Sequence, residues 1–334
     1  MKHNKFARTI LYHALESKMY GGVEVMSDLI GKTIPGNGME SIFKEVPHQE
    51  TLGLKNPEQL RLFHLHVSNN RFIFKNLEDY LENIVSEYVF SRVQVQKLTD
   101  PRLGNNPRSI GLKALRVMKK NGAADQKGTG NELGEILLYA FLEEKLGAYK
   151  LFSKVELNSA TTPFGKESDS VHLLSLGDIA GMTCYQTVFG TSDIKGNLKD
   201  AIDKAFDAIV RIENETGEGI RIISSPTLEE SFEPDMLQRI ISAIVPKPES
   251  DVVSNNAYGI FLGYSLGLDP NTRSNIEFLQ ALDKKMEFDI KNHASYITEK
   301  IKVLGLDSHS FYFYIVPFND AEADKKLIME NLMM

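Results

Sequence analysis

The run FYFYIVPF, residues 311–318, places eight apolar or aromatic side chains in succession. A strand with no polar face has no side to show water, so this segment is expected inside a sheet covered by helices. Helical and strand-like signals alternate along much of the chain before it. The expected class is therefore α/β, a mixed sheet flanked by helices, with residues 1–60 as a small N-terminal appendage and 61–334 as the main domain.

Within residues 1–60, a short helix is expected around Phe6 to Lys18, followed by Gly- and Pro-containing loops, GKTIPGNGMES and KEVPHQETLG. LFHLHV and RFIF, joined by SNN, read as a hairpin. NLEDYLENIVSEYVF carries Leu77, Tyr80, Leu81, Ile84, Val85 and Tyr88 at helical spacing, with Asn76 as candidate cap. IGLKALRVMKK is a second helix, and NGAADQKGTG is a flexible connection.

NELGEILLYAFLEEKLG is the clearest helix, with Leu133, Ile136, Leu137, Ala140 and Phe141 inward, Asn131 or Thr129 as cap, and Gly147 as stop. Three strands are expected next: KLFSKVEL, DSVHLLSL and MTCYQTVFG, the last two joined by a turn at GDIAG. NLKDAIDKAFDAIVRIENE is the helix that follows. The C-terminal third reads as a helix at EPDMLQRIISAIV, a strand at AYGIFLGYSL and a long helix from Asn275 to Gly305.

Composition bounds the function. No run approaches the roughly 18 apolar residues of a membrane span, and the N-terminus has no uninterrupted apolar core, so a cytoplasmic protein with no membrane partner is expected. One cysteine, Cys184, excludes an internal disulfide and a multi-cysteine zinc site, and its apolar setting makes it a small buried hydrophobe. A net charge of −7 argues against a stand-alone nucleic-acid binder but leaves a nuclease open, because catalytic carboxylates add negative charge.

Phosphodiester cleavage by a hard cation needs oxygen ligands and a group that activates or orients water. A helix bearing a glutamate, a strand bearing an aspartate, and a strand with an acid and a lysine two apart would supply both. The chain has these parts in that order: Glu132 and Glu135 on the helix, Asp169 at the start of the second strand, and Asp193-Ile194-Lys195 at the end of the third. Glu132 is read as an acid favoured in a first helical turn, whereas Asp169 and Lys195 favour a functional part for Glu135. Lys113, Arg116 and Lys120 share one helix face, either a solvated surface or a ridge for phosphate contacts.

Other patterns carry less. His64 and His66 share one strand face but have no third zinc ligand nearby. Asp169, Ser170 and His172 have the residue types of a nucleophilic triad, yet as neighbours on one strand they point apart. Residues 128–134, GTGNELG, miss both dinucleotide and nucleotide-triphosphate loop spacings.

From about residue 60 to the end, the chain resembles the HamA subunit of the Hachiman antiphage system. The resemblance is carried by GNELGEILLYAFLEEKLG, SDSVHLL and YQTVFGTSDIKGNLKDAIDKAF. It implies a restriction-endonuclease-like core at 130–213, similar to divergent PD-(D/E)xK nucleases. It also implies Mg²⁺- or Mn²⁺-dependent DNA cleavage and a helicase partner resembling HamB. Glu135 matches the helix acid and Asp169 the strand acid. The acid-x-lysine is expected directly after Gly190, where Thr191-Ser192-Asp193 stands instead, and Asp193-Ile194-Lys195 restores the motif two residues later. That shift keeps the strand face but moves the groups roughly 6.5 Å along it.

The expected site is therefore Glu135, Asp169 and Asp193 around the cation, with Lys195 orienting or activating water and Lys113, Arg116 and Lys120 on the DNA backbone. The alternative is a catalytically inactive scaffold or regulatory subunit of the helicase complex.

Overall fold

A computed structural model describes residues 30–120, 131–159, 167–215, 222–223 and 225–334. The expected helix at Phe6–Lys18, Thr129 and the segment 121–130 lie outside the described residues. In chain order the principal elements are β1 (Phe43–Val46), β2 (Glu58–Leu65), β3 (Val67–Ser68), β4 (Arg71–Phe72), α1 (Lys75–Val89), α2 (Arg92–Thr99), α3 (Ile110–Lys120) and α4 (Glu132–Phe141). They continue with β5 (Ala148–Ser153), α5 (Lys154–Ser159), β6 (Ser170–Ile179), β7 (Met182–Lys195), α6 (Leu198–Asn214), α7 (Pro226–Ser231) and α8 (Pro234–Ile244). The last are β8 (Val252–Ser265), α9 (Asn275–Val303), β9 (Ser310–Phe318) and α10 (Ala321–Met333).

Seven strands form one mixed sheet in the order β1-β2-β9-β8-β7-β6-β5. The central pairs β2/β9, β9/β8 and β8/β7 are parallel, while β1/β2, β7/β6 and β6/β5 are antiparallel. The run 311–318 lies in β9, whose nine residues are all buried. Phe311 meets Phe206 of α6 on one face, and Tyr314 stacks on Phe141 of α4 on the other, with ring centroids 5.1 Å apart. The sheet is thus covered on both sides, as its apolar pattern requires.

Helix α4 lies unusually close to the sheet. Gly190 of β7 and Gly259 of β8 are paired neighbours. A Cβ on Gly190 would stand 2.8 Å from Leu138, and one on Gly259 would stand 2.6 Å from Leu142. Every residue of α4 except Glu132 is buried. The helix passes into a π-helical turn, Leu142–Leu146, and stops at Gly147, whose φ of +74° suits glycine.

This turn fastens residues 30–40 to the core. The fully buried carboxylate of Glu143 accepts hydrogen bonds from the backbone of Thr33 (2.8 Å), Ile34 (3.0 Å) and Lys150 (2.9 Å). Glu144 accepts from the backbone of Met39 (3.2 Å) and from the Tyr80 hydroxyl (2.5 Å). Within the expected appendage, β1 forms one edge of the sheet and β2 begins at Glu58.

Several local expectations change. Helix α1 begins at Lys75, with Phe74 at the cap position and no side-chain cap, so Asn76 lies inside it. LFHLHV belongs to the main sheet through β2, and only β3 and β4 form a small ribbon, turned by Asn69 and Asn70 with positive φ. KLFSKVEL is not one strand: β5 ends at Ser153 and α5 begins at Lys154. β7 ends at Lys195, carrying Asp193-Ile194-Lys195 as expected of the third strand, and β8 starts earlier than expected, at Val252. Cys184 is buried, as its setting implied.

Candidate active site

Glu135 and Asp169, the helix acid and the strand acid of the motif, lie close enough for the Asp169 charge to raise the Glu135 pKa. Asn131 does not cap α4. Its amide instead donates to the Ser192 carbonyl of β7 at 2.9 Å, which pins the first turn of the helix to that strand. Gly134 allows the close approach, since a Cβ there would lie 3.1 Å from the Ser192 hydroxyl. Glu135 follows and is buried, its Oε2 accepting from the Tyr88 hydroxyl of α1 at 2.9 Å.

Asp169 precedes β6, and its backbone N–H donates to the Gly190 carbonyl at 2.8 Å. Its Oδ2 accepts twice from Ser192, from the backbone N–H at 2.7 Å and from the hydroxyl at 2.8 Å. Its Oδ1 lies 3.7 Å from the Lys154 ammonium, an ion pair too long for a hydrogen bond. Lys154 also donates to the Ser168 carbonyl at 3.0 Å.

Burial disfavours the ionisation of both carboxyls. Burial first, and the Asp169 charge second, push Glu135 up to about 8, against partial relief from Tyr88 and Lys154. Burial raises Asp169 as well, opposed by Lys154 and the Ser192 hydrogen bonds. Near the pair in sequence are buried side-chain oxygens with no hydrogen-bond partner among the described residues: Glu132 Oε2, Ser168 Oγ and Ser170 Oγ. Two desolvated carboxyls have the oxygen-donor chemistry of a hard-cation site.

The other expected residues lie apart. Alternation along β7 puts Ser192 and Ile194 on the α4 face and Thr191, Asp193 and Lys195 on the opposite one. The β7/β8 pairing runs without interruption through Lys195, so no bulge reverses that order. Asp193 and Lys195 form their own ion pair at 3.5 Å. Burial raises the Asp193 pKa, Lys195 opposes this most strongly, and Asp169 makes only a minor contribution. Among the described residues, no three His, Cys, Asp or Glu side chains are arranged to hold a metal ion.

On α3, Ala114 and Met118 face the core. Arg116 and Lys120 are exposed, whereas Lys113 is half-buried and donates to Asn105 at 3.4 Å. The histidines serve structural ends. His66 hydrogen-bonds the Ser41 carbonyl at 2.8 Å, and buried His172 bonds the Ala148 carbonyl at 2.9 Å, its pKa lowered to about 4 by burial.

Tyr88, Lys154 and Ser192 complete the site and escaped sequence reading. Tyr88 has the helical spacing of a core residue, Lys154 lay in an expected strand, and Ser192 was passed over between Thr191 and Asp193.

The fold and site define an α/β protein whose mixed sheet carries a buried two-carboxylate centre at a helix–strand crossing. The chain belongs to the HamA family, whose model matches residues 40–332. Membership places it with the antiphage defence proteins of the Hachiman system. No curated protein and no solved structure matches the chain. Among the described residues, no helix is long and apolar enough to cross a membrane.

Proposed function

We propose that this protein is the metal-dependent DNA nuclease subunit of an antiphage complex and works beside a helicase resembling HamB. The observation that carries the reading is the Glu135–Asp169 pair, two buried carboxyls from different elements, both raised by burial and Glu135 raised further by the Asp169 charge. Such an arrangement costs stability when both ionise, and a divalent cation offsets that cost.

Glu135 and Asp169 would hold Mg²⁺ or Mn²⁺, which when bound polarises the phosphodiester and acidifies a water molecule. Mg²⁺ needs only one or two protein carboxylates when phosphate and water oxygens fill its remaining positions. Tyr88 fixes the Glu135 carboxylate, and Ser192 fixes that of Asp169, so neither needs to reorganise when substrate arrives. The exposed cations of α3, Arg116 and Lys120 with Lys113 beside them, are the candidate contacts to the DNA backbone.

A second reading, the inactive scaffold or regulatory subunit, draws support from β7. Thr191 and Asp193 replace the motif acid and lysine, and Asp193 and Lys195 turn away from the carboxylate pair.

Plasmid and linear DNA cleavage with Mg²⁺ or Mn²⁺, with and without EDTA and the helicase partner, separates the two. The nuclease reading expects cutting that EDTA abolishes and that Asp169→Ala and Glu135→Gln each lose. Lys195→Ala reports whether the displaced motif takes part. Absence of cutting by the wild type in every condition moves the assignment to the scaffold.

A further inference from the structure

A cleft that shares no lining residue with the carboxylate site lies where the end of α1 and the start of α2 meet α3, α5 and α7. Its volume is about 290 Å³, at the lower end of the range for small-molecule pockets. Phe90, Val117 and Val155 give it apolar walls. Among the described residues that line it, the charged ones are Glu156 and Glu230, both acids.

Glu156 is unevenly satisfied. Its side chain is only 6% exposed. Oε2 accepts from the Ser153 backbone N–H at 2.9 Å and faces the Lys150 ammonium, also at 2.9 Å. Oε1 is buried as well, yet it has no hydrogen-bond partner among the described residues. A buried carboxylate oxygen is costly to leave bare, so one without a donor marks the place of a missing partner.

The neighbouring polar groups are engaged elsewhere. Ser91 and Gln94 satisfy each other in the capping box of α2, and the Ser231 hydroxyl donates to the Thr227 carbonyl at 2.5 Å. Lys150 gives its further hydrogen bonds to the carbonyls of Glu87 and Phe90, at 2.5 and 2.9 Å. Its charge balances one of the two acids, which leaves the cleft attractive to a cation.

We propose that this cleft is a binding site for a small aliphatic amine, protonated at neutral pH. The ammonium donates to Glu156 Oε1, a charge-assisted hydrogen bond to the oxygen that lacks one. The alkyl part lies against Phe90, Val117 and Val155, and Glu230, exposed at the rim, adds attraction. The assignment is independent of the nuclease reading, because it uses neither Glu135 nor Asp169.

The test is calorimetric titration of the full chain with n-butylamine hydrochloride, and with n-butanol as its neutral counterpart. The proteins are the wild type, Glu156→Gln, Thr227→Phe and Glu249→Gln. Thr227→Phe narrows the cleft from α7 without touching Lys150, and Glu249, an exposed acid outside the cleft, controls for the loss of one charge. We expect saturable binding of the amine and not of the alcohol. Glu156→Gln should weaken it about 10- to 100-fold, the range of one hydrogen bond to a charged group. Thr227→Phe should abolish it, and Glu249→Gln should leave it unchanged.

Glu156→Gln also strips Lys150 of its partner. If that variant does not fold, Thr227→Phe decides alone. Wild-type affinity in Thr227→Phe overturns the assignment, as does equal binding of the alcohol. So does an absence of saturable binding by the wild type up to roughly 10 mM amine.

Discussion

Ser192 donates both its backbone N–H and its hydroxyl to one oxygen of Asp169, at 2.7 and 2.8 Å. The backbone bond would survive any substitution that keeps the strand, so Ser192→Ala removes only the hydroxyl half. Hydrogen bonds to charged groups contribute about 1.5–3 kcal/mol, and urea unfolding of Ser192→Ala should show a loss within that range. An unchanged midpoint would mean that the hydroxyl is replaceable by solvent.

The Glu135 carboxyl gives the fold a pH dependence of definite sign. Its pKa rises from the ordinary 4.5 to about 8 on folding, so the native chain holds the proton more tightly than the unfolded one. Its contribution is fully present below about pH 4.5 and is lost as pH climbs through about 8. In EDTA, denaturation midpoints should fall over that interval, and Glu135→Gln should flatten the trend. An equal slope in the glutamine variant assigns the effect to another group.

Tyr88 opposes that displacement by donating to Glu135. Tyr88→Phe should therefore move the pH window upward and cost about 1–3 kcal/mol above it, where the ionised carboxylate loses a buried partner. The same denaturation series reads both effects. A window that stays in place shows that the hydroxyl does not govern the proton.

Gly190→Ala tests the seating of α4. The new Cβ would stand 2.3 Å from the Ser170 hydroxyl and 2.8 Å from Leu138. Overpacking of this kind costs about 1–3 kcal/mol, visible as a lowered thermal midpoint. Weaker Mn²⁺ binding should accompany it, because α4 carries Glu135. Wild-type stability would show that the helix can lift without loss.

The α3 cations are tested together. Replacement of Lys113, Arg116 and Lys120 by Gln should flatten the salt dependence of DNA affinity by roughly 2–3 in slope, near 0.9 for each contact. An unaltered slope makes this face a solvated surface.

What the sequence disclosed was what is written in consecutive residues. FYFYIVPF revealed a strand buried on both faces, and the spacing of Leu133, Ile136 and Leu137 revealed α4. Glu135 and Asp169 were legible as candidates because Glu135 lies in the first turn of its helix and Asp169 immediately precedes its strand. Lys154 was not, because its ion pair with Asp169 exists only where the turn after β5 comes beside the start of β6. Ser192 was hidden by the two-residue period of β7: attention to Asp193 and Lys195 fixed on the face that points away from α4. Asn131 looked like a helix cap, and only the proximity of β7 gave its amide a better partner.

The π-helical turn at Leu142–Leu146 also has a mechanical meaning. Glu143 and Glu144 grip the backbone of Thr33, Ile34 and Met39, and Glu143 lies eight residues beyond Glu135 on a continuous helical rod. That separation is about 12 Å at helical rise. Residues 33–39 and the Asn131–Ser192 contact thus tether the same helical rod at its two ends, with Glu135 between them.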